Sequence, residues 1–178
     1  MNRRFFGTGL ALPAIRNCLR ESGVVRIATA FFEPSGWAEL SDILEIKEVR
    51  LLVGREEGAA DKVDQLLHEF FAELQTGALQ KNSRVLKSIL LALRQGRLAI
   101  RLSAHRVVGS LDVRYLYHHA KLYIADATQA IVTSANFTRS GLITGREAGN
   151  LVTDSLDVRY FVETFDEYFD KAESLTAV

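Results

Sequence analysis

His119 and Lys121 stand two residues apart in Tyr117-His118-His119-Ala120-Lys121-Leu122-Tyr123-Ile124-Ala125-Asp126. The pattern predicts a strand over 120–124, and side chains on a strand alternate faces. The imidazole and the ammonium then point one way, while Leu122 and Ile124 point to a core. Farther on, Ser134 and Asn136 share a face where a strand over 130–133 ends. If the two strands are adjacent, four polar side chains converge on one small site. That set suits a phosphodiester. A neutral imidazole attacks phosphorus once a neighbour fixes its tautomer. Lysine offers a point charge to the non-bridging oxygens, and Ser and Asn add hydrogen bonds. Glu147, in Gly145-Arg146-Glu147-Ala148-Gly149-Asn150, is the nearest carboxylate in sequence that could hold the far ring nitrogen.

The ordered set His119-x-Lys121-x4-Asp126, then Ser134-x-Asn136, is similar to the HKD signature of the phospholipase D superfamily. The continuation Phe137-Thr138-x-x-Gly141-Leu142 and Glu147-Ala148-Gly149 resembles it too, so the signature covers roughly 119–150. One departure is Thr133, where many members have Gly; Thr suits a strand. The resemblance implies that His119 is a nucleophile forming a phosphohistidine. Lys121 and Asn136 would hold phosphate oxygens with help from Ser134, Glu147 would orient His119, and Asp126 would act in support. It implies no metal and no cofactor. His118 and His119, adjacent on a strand, face opposite ways and make a poor chelating pair.

In-line displacement puts attacking and leaving groups on opposite sides of phosphorus. One histidine cannot easily serve both, and the superfamily uses two motifs per site. His68-Glu69-Phe70 and His105-Arg106-Val107 lack the lysine, so a second motif is missing from the chain. The expectation is a two-fold homodimer with one composite site.

The elements that must position these residues follow from hydrophobic period. Residues 24–32 read as a buried strand stopped by Glu33-Pro34-Ser35-Gly36, then a helix over 35–44 and strands over 49–53 and 98–102. Helical spacing recurs at Leu66, Leu67, Phe70, Phe71 and Leu74, and again at Val85, Ile89, Leu90 and Leu93. Near the start, Thr8 reads as the N-cap of a helix that buries Leu12, Ile15, Cys18 and Leu19. A strand is expected around 149–152. The last helix carries Val158, Phe161, Val162, Phe165 and Phe169 on one face, with a cap from 153–155. The aromatic stripe over 160–169 therefore reads as core rather than a base-stacking platform. The order predicts an α/β fold, a mixed β-sheet sandwiched between helices, in a single domain over 1–178.

The 178 residues carry 22 basic and 22 acidic side chains, one Cys and no run long enough to span a membrane. The expected setting is cytoplasmic. Neutrality is a cancellation: residues 33–74 hold eleven acids and four bases, whereas 81–114 hold eight bases and one acid. The candidate nucleic-acid contacts are Lys81, Arg84, Lys87, Arg97, Arg101 and Arg106, with Arg139 beside the signature. A basic path into a phosphodiester site is what a phosphate backbone needs. The leading expectation is a metal-independent nuclease acting on DNA rather than RNA. The alternative is a weakly active or inactive DNA-binding or targeting module of a larger helicase or restriction-type protein, with a fused or associated ATPase. Phospholipid transfer ranks below both, since no basic amphipathic helix is evident.

Overall fold

The computed structural model describes residues 4–54, 83–108, 113–117 and 119–174. In chain order these form β1 (Arg4–Thr8), α1 (Ala11–Leu19), β2 (Val24–Thr29), α2 (Pro34–Leu44), β3 (Glu48–Gly54), α3 (Ser83–Arg94), β4 (Leu98–Val108) and β5 (Val113–Tyr117). They continue with β6 (Leu122–Ala125), β7 (Gln129–Thr133), a π-helical turn (Ser140–Thr144), β8 (Arg146–Val152), α4 (Ser155–Lys171) and β9 (Glu173–Ser174). The strands build one mixed sheet in the order β1-β8-β7-β6-β2-β3-β4-β5, with β9 on β4. β2, β3 and β4 are parallel to one another and the other pairings are antiparallel. The α/β sandwich expected from the sequence is thus present.

The two faces of the sheet are unequal. Alternate residues Val25 and Ile27, Val49, Leu51 and Val53, and Leu98, Ile100 and Leu102 pack under α1, α2 and α3 in the larger core. Among the described residues, the opposite face presents Ala28, Leu52, Ile124 and Ala130 to α4, through Phe165 and Phe169. This is the period-two alternation of strands covered on both sides.

The structure moves several boundaries. The strand expected from Ala120 starts at Leu122, so His119 and Lys121 precede it. The ladder reaches one residue farther, through Thr133 N–H to Lys121 O at 3.1 Å. Thr8 is not a helix cap, because it ends β1 opposite Arg146, and α1 begins three residues later. The expected strand at 149–152 extends back to Arg146, since β1 supplies a partner along its length. Of the final cap region, Asp154 does the work: its carboxylate accepts from the Leu156 and Asp157 amides. The helix expected around 66–74 lies outside the described residues.

Candidate active site

β2 runs parallel to β3 and antiparallel to β6, so the start of β6 and the end of β7 lie beside its carboxyl end. Here the segment after β7 folds across that end. Asn136 Oδ1 accepts from the Phe31 amide and lies within reach of the Thr29 hydroxyl, each at 3.3 Å. The Phe137 amide donates to Thr29 Oγ1 at 2.9 Å, and the Glu33 amide donates to Phe137 O at 3.1 Å. The Phe137 ring is buried, 5.3 Å from Phe32 and edge-on to Tyr123 at 6.2 Å.

Two glycines permit this crossing. A Cβ at Gly36 would sit 2.4 Å from Phe137 O, and one at Gly141 would sit 2.5 Å from Asn136 O. Backbone contacts so close exclude any side chain. The first turn of α2 and the π-helical turn therefore clamp the Asn136–Phe137 segment from two sides. Thr29 and Gly36 were not identified from the sequence, because their role depends on contacts about a hundred residues away.

His119 is exposed where β6 begins. Lys121 Nζ lies 3.0 Å from its Nδ1 and 3.2 Å from its Nε2, and donates to His119 O at 3.0 Å. A phosphate oxygen placed against the ring would thus also meet the ammonium. Ser134 Oγ donates to Glu147 Oε2 and accepts from the Ala148 amide at 3.0 Å. The Ser134 amide in turn donates to Ala148 O at 2.9 Å. Thr133 gives the turn its shape, donating to Ala148 O at 2.7 Å and accepting from the Ala135 amide at 3.1 Å. A glycine there would lack both bonds. Beneath this layer Tyr123 is fully buried, and its hydroxyl donates to Ala135 O at 3.3 Å. Burial first, then the negative charge of Glu147, holds the phenol well above its ordinary value, so it stays a neutral donor.

Asp126 lies elsewhere. It closes the other end of the β6–β7 hairpin at φ 50°, about 16 Å along the strand from Lys121 at the usual rise per residue. Its carboxylate accepts from the Gly23 amide at 3.1 Å and the Val24 amide at 2.8 Å. The structure thus gathers Ser134, Asn136 and Glu147 around the start of β6, beside His119 and Lys121, and leaves Asp126 out.

The basic block is divided. Arg84 and Lys87 are exposed on the first turns of α3, while Arg97 sits at the start of β4, the sheet edge away from His119. Arg101 is turned to α4, donating to Phe169 O at 2.7 Å, near Asp170 at 3.7 Å and 4.6 Å over the Phe169 ring. Arg139 is exposed and 3.8 Å from Glu39. Arg106 lies on the part of β4 that runs past its pairing with β3 and joins β5 in a ribbon leading to His119. Lys81 lies outside the described residues.

A cleft of about 630 Å³ is lined by His119, Lys121 and Ser134 on one side and by α4 on the other. Among the described residues, no group of three or more His, Cys, Asp or Glu side chains could hold a metal ion, and no helix is long and apolar enough to cross a membrane.

Comparison with known proteins accords with this geometry. A family model described as "Cardiolipin synthase, PLD-like domain" matches residues 22–172. No curated protein matches the chain. Among solved structures, NucT from Helicobacter pylori superposes with a TM-score of 0.64 at 11% identity, covering 97% of this chain and 98% of its own. Nuc from Salmonella typhimurium, a phospholipase D family member, gives 0.59 at 13% identity, covering 98% of both chains. TrmBL2, an archaeal chromatin protein with a novel mode of DNA binding, gives 0.54 at 15% identity over 97% of this chain and 53% of its own. At such identities the superpositions establish the fold.

Proposed function

The chain belongs to the phospholipase D superfamily, and on that premise we propose that it is a metal-independent phosphodiesterase whose substrate is DNA. The observation that carries the reading is the Lys121 ammonium held against the His119 ring at 3.0 Å, beside the Ser134–Glu147 pair. A ring nitrogen of His119 attacks phosphorus, forming a P–N bond as the P–O bond to the leaving alkoxide breaks. Lys121 and the Asn136 amide group stabilise charge on the non-bridging oxygens. The alkoxide takes a proton from a second imidazolium opposite. Water then gives a proton back to that second imidazole and attacks the phosphohistidine, and the P–N bond breaks.

The second imidazole belongs to His119 of another copy. A sheet surface beside the site that no described residue covers supports the pairing. Phe6 is 76% and Val132 41% exposed, and with Ala148 and Val152 they line an open depression on the same sheet face as α4, beyond that helix. NucT and Nuc match this chain over nearly their whole lengths, so the fold of those proteins is likewise a chain of about this size.

Incubation with plasmid and oligonucleotides in excess EDTA tests the reading. Wild-type protein cuts, His119→Ala does not, and sedimentation finds a dimer. Binding without cleavage at every pH would favour a DNA-binding module instead, a reading to which the likeness to TrmBL2 lends weight. Full activity from a monomer would remove the composite site.

A further inference from the structure

Helix α4 has two aromatic faces, and only one is core. Phe165 and Phe169 are buried against the sheet, their rings 5.6 Å apart. Tyr160 and Tyr168 are 64% and 42% exposed. With Thr164 between them they follow the i, i+4, i+8 spacing of one helix side. That side is the wall of the cleft whose opposite wall holds His119, Lys121 and Ser134. An apolar, ring-bearing surface thus runs straight into the phosphate site.

We propose that this cleft binds unpaired nucleic-acid bases, with Tyr160 and Tyr168 as stacking faces for nucleotides flanking the phosphate at His119. The proposal rests on the phosphodiesterase reading for the position of that phosphate. Aromatic side chains accept any base through its π-face, and a cationic track beside them holds the backbone. Two helical turns separate the tyrosines by about 12 Å, too far to sandwich one base, so each meets a different nucleotide. In a duplex the faces of the bases are covered by their neighbours in the stack. The cleft therefore selects single strands. The acidic residues of α4 between and beside the tyrosines are paired: Glu163 with Arg159 at 2.7 Å, Asp166 with Arg26 at 2.9 Å and Arg50 at 3.4 Å, Glu167 with Lys171 at 2.6 Å, and Asp170 with Arg101 at 3.7 Å. Tyrosine hydroxyls and Thr164 make a poorer lining for acyl chains than for bases, whose edges carry donors and acceptors.

The test uses the full chain carrying His119→Ala, so that the strand survives, in EDTA. Its affinity is measured for a fluorescent oligothymidylate, for the same backbone made wholly of abasic units, and for cardiolipin-containing vesicles. The oligothymidylate binds at least about tenfold tighter than the abasic strand, as a base–aromatic stack predicts. Tyr160→Ala with Tyr168→Ala removes that difference, and the corresponding pair of Phe substitutions retains it. Equal affinity for the two strands overturns the cleft assignment, as does loss in the Phe pair matching the Ala pair. Tyrosine-dependent vesicle binding, or a tyrosine-dependent dimer, without a base effect would overturn it in favour of lipid or a second copy. Cleavage by wild-type protein is scored separately. Base-dependent binding without cleavage keeps the cleft and removes the phosphodiesterase; cleavage without base dependence does the reverse.

Discussion

The two ends of the β6–β7 hairpin use similar residues to opposite purposes. At the turn end, the Asp126 carboxylate is consumed by two backbone amides of the loop before β2, and its own amide donates to Val24 O at 2.8 Å. At the open end, His119 and Ser134 stand exposed and their contacts are with other polar side chains or with the outermost rungs of the ladder. A carboxylate engaged by the main chain fixes geometry, and its oxygens face the loop before β2 rather than the cleft. Polar groups that lean on one another at a rim remain within reach of a substrate. On the proposed function, the same strands therefore separate a stability end from a chemistry end.

The largest expected effect tests the chemistry end. Lys121→Ala lowers the rate of phosphodiester cleavage by about 100- to 1,000-fold, as loss of one charge-stabilising donor does. It leaves thermal unfolding within about 1 kcal/mol of wild type, since the residue is partly exposed. The comparison breaks if the same substitution unfolds the chain.

Asp126 tests the other end. Asp126→Gly removes the carboxylate without straining a backbone that already lies at φ 50°. Two amides lose their acceptor, so chemical denaturation should reveal a loss of about 1–3 kcal/mol with the cleavage rate at saturating substrate within about twofold. Asp126→Ala should lose roughly 1 kcal/mol more, because a Cβ resists the left-handed region. A rate loss like that of Lys121→Ala would place Asp126 in the chemistry after all.

Ser134 links the two behaviours and gives a smaller effect. Ser134→Ala leaves the Glu147 carboxylate without its donor and the Ala148 amide without its acceptor at the rim of the sheet. The expected cost is about 1 kcal/mol of stability with a rate loss of about tenfold, read by melting and by single-turnover cleavage.

The last effect is a loss of stability seen only at alkaline pH. Burial alone pushes Cys18 up from 9.0 to about 12, and Tyr123 is raised by the same cause. The folded chain keeps the Cys18 proton in a range where the unfolded chain has released it. Stability from this source is thus complete below about pH 9 and declines as the pH rises toward 12. A thiol reagent at pH 8 should react with Cys18 only on unfolding, so rapid labelling of the native protein would refute its burial.

Much of the site was legible in the sequence because the period of a strand is local. His119 and Lys121, and then Ser134 and Asn136, were placed together by spacing, although the strand itself starts later. Asp154 within the expected cap region and the buried Phe165 and Phe169 were legible for a similar reason, since a helix repeats over neighbouring residues. Asp126 and the tyrosines of α4 were harder. A short carboxylate at a fixed offset looks the same whether it meets a substrate or a loop amide, and an aromatic stripe does not say which rings fall one step off the buried face.

The sequence by itself determined the chemistry available: an imidazole, an ammonium, and the residue order that marks the superfamily. It also set the alternation that makes an α/β sandwich. Only the tertiary structure decided where each group is used. It brought Thr29 to Asn136 and Glu147 to Ser134, sent Asp126 to the far end of a hairpin, split the basic block, and turned Tyr160 and Tyr168 toward His119. Each of these depends on contacts between residues far apart in the chain, which no local period encodes.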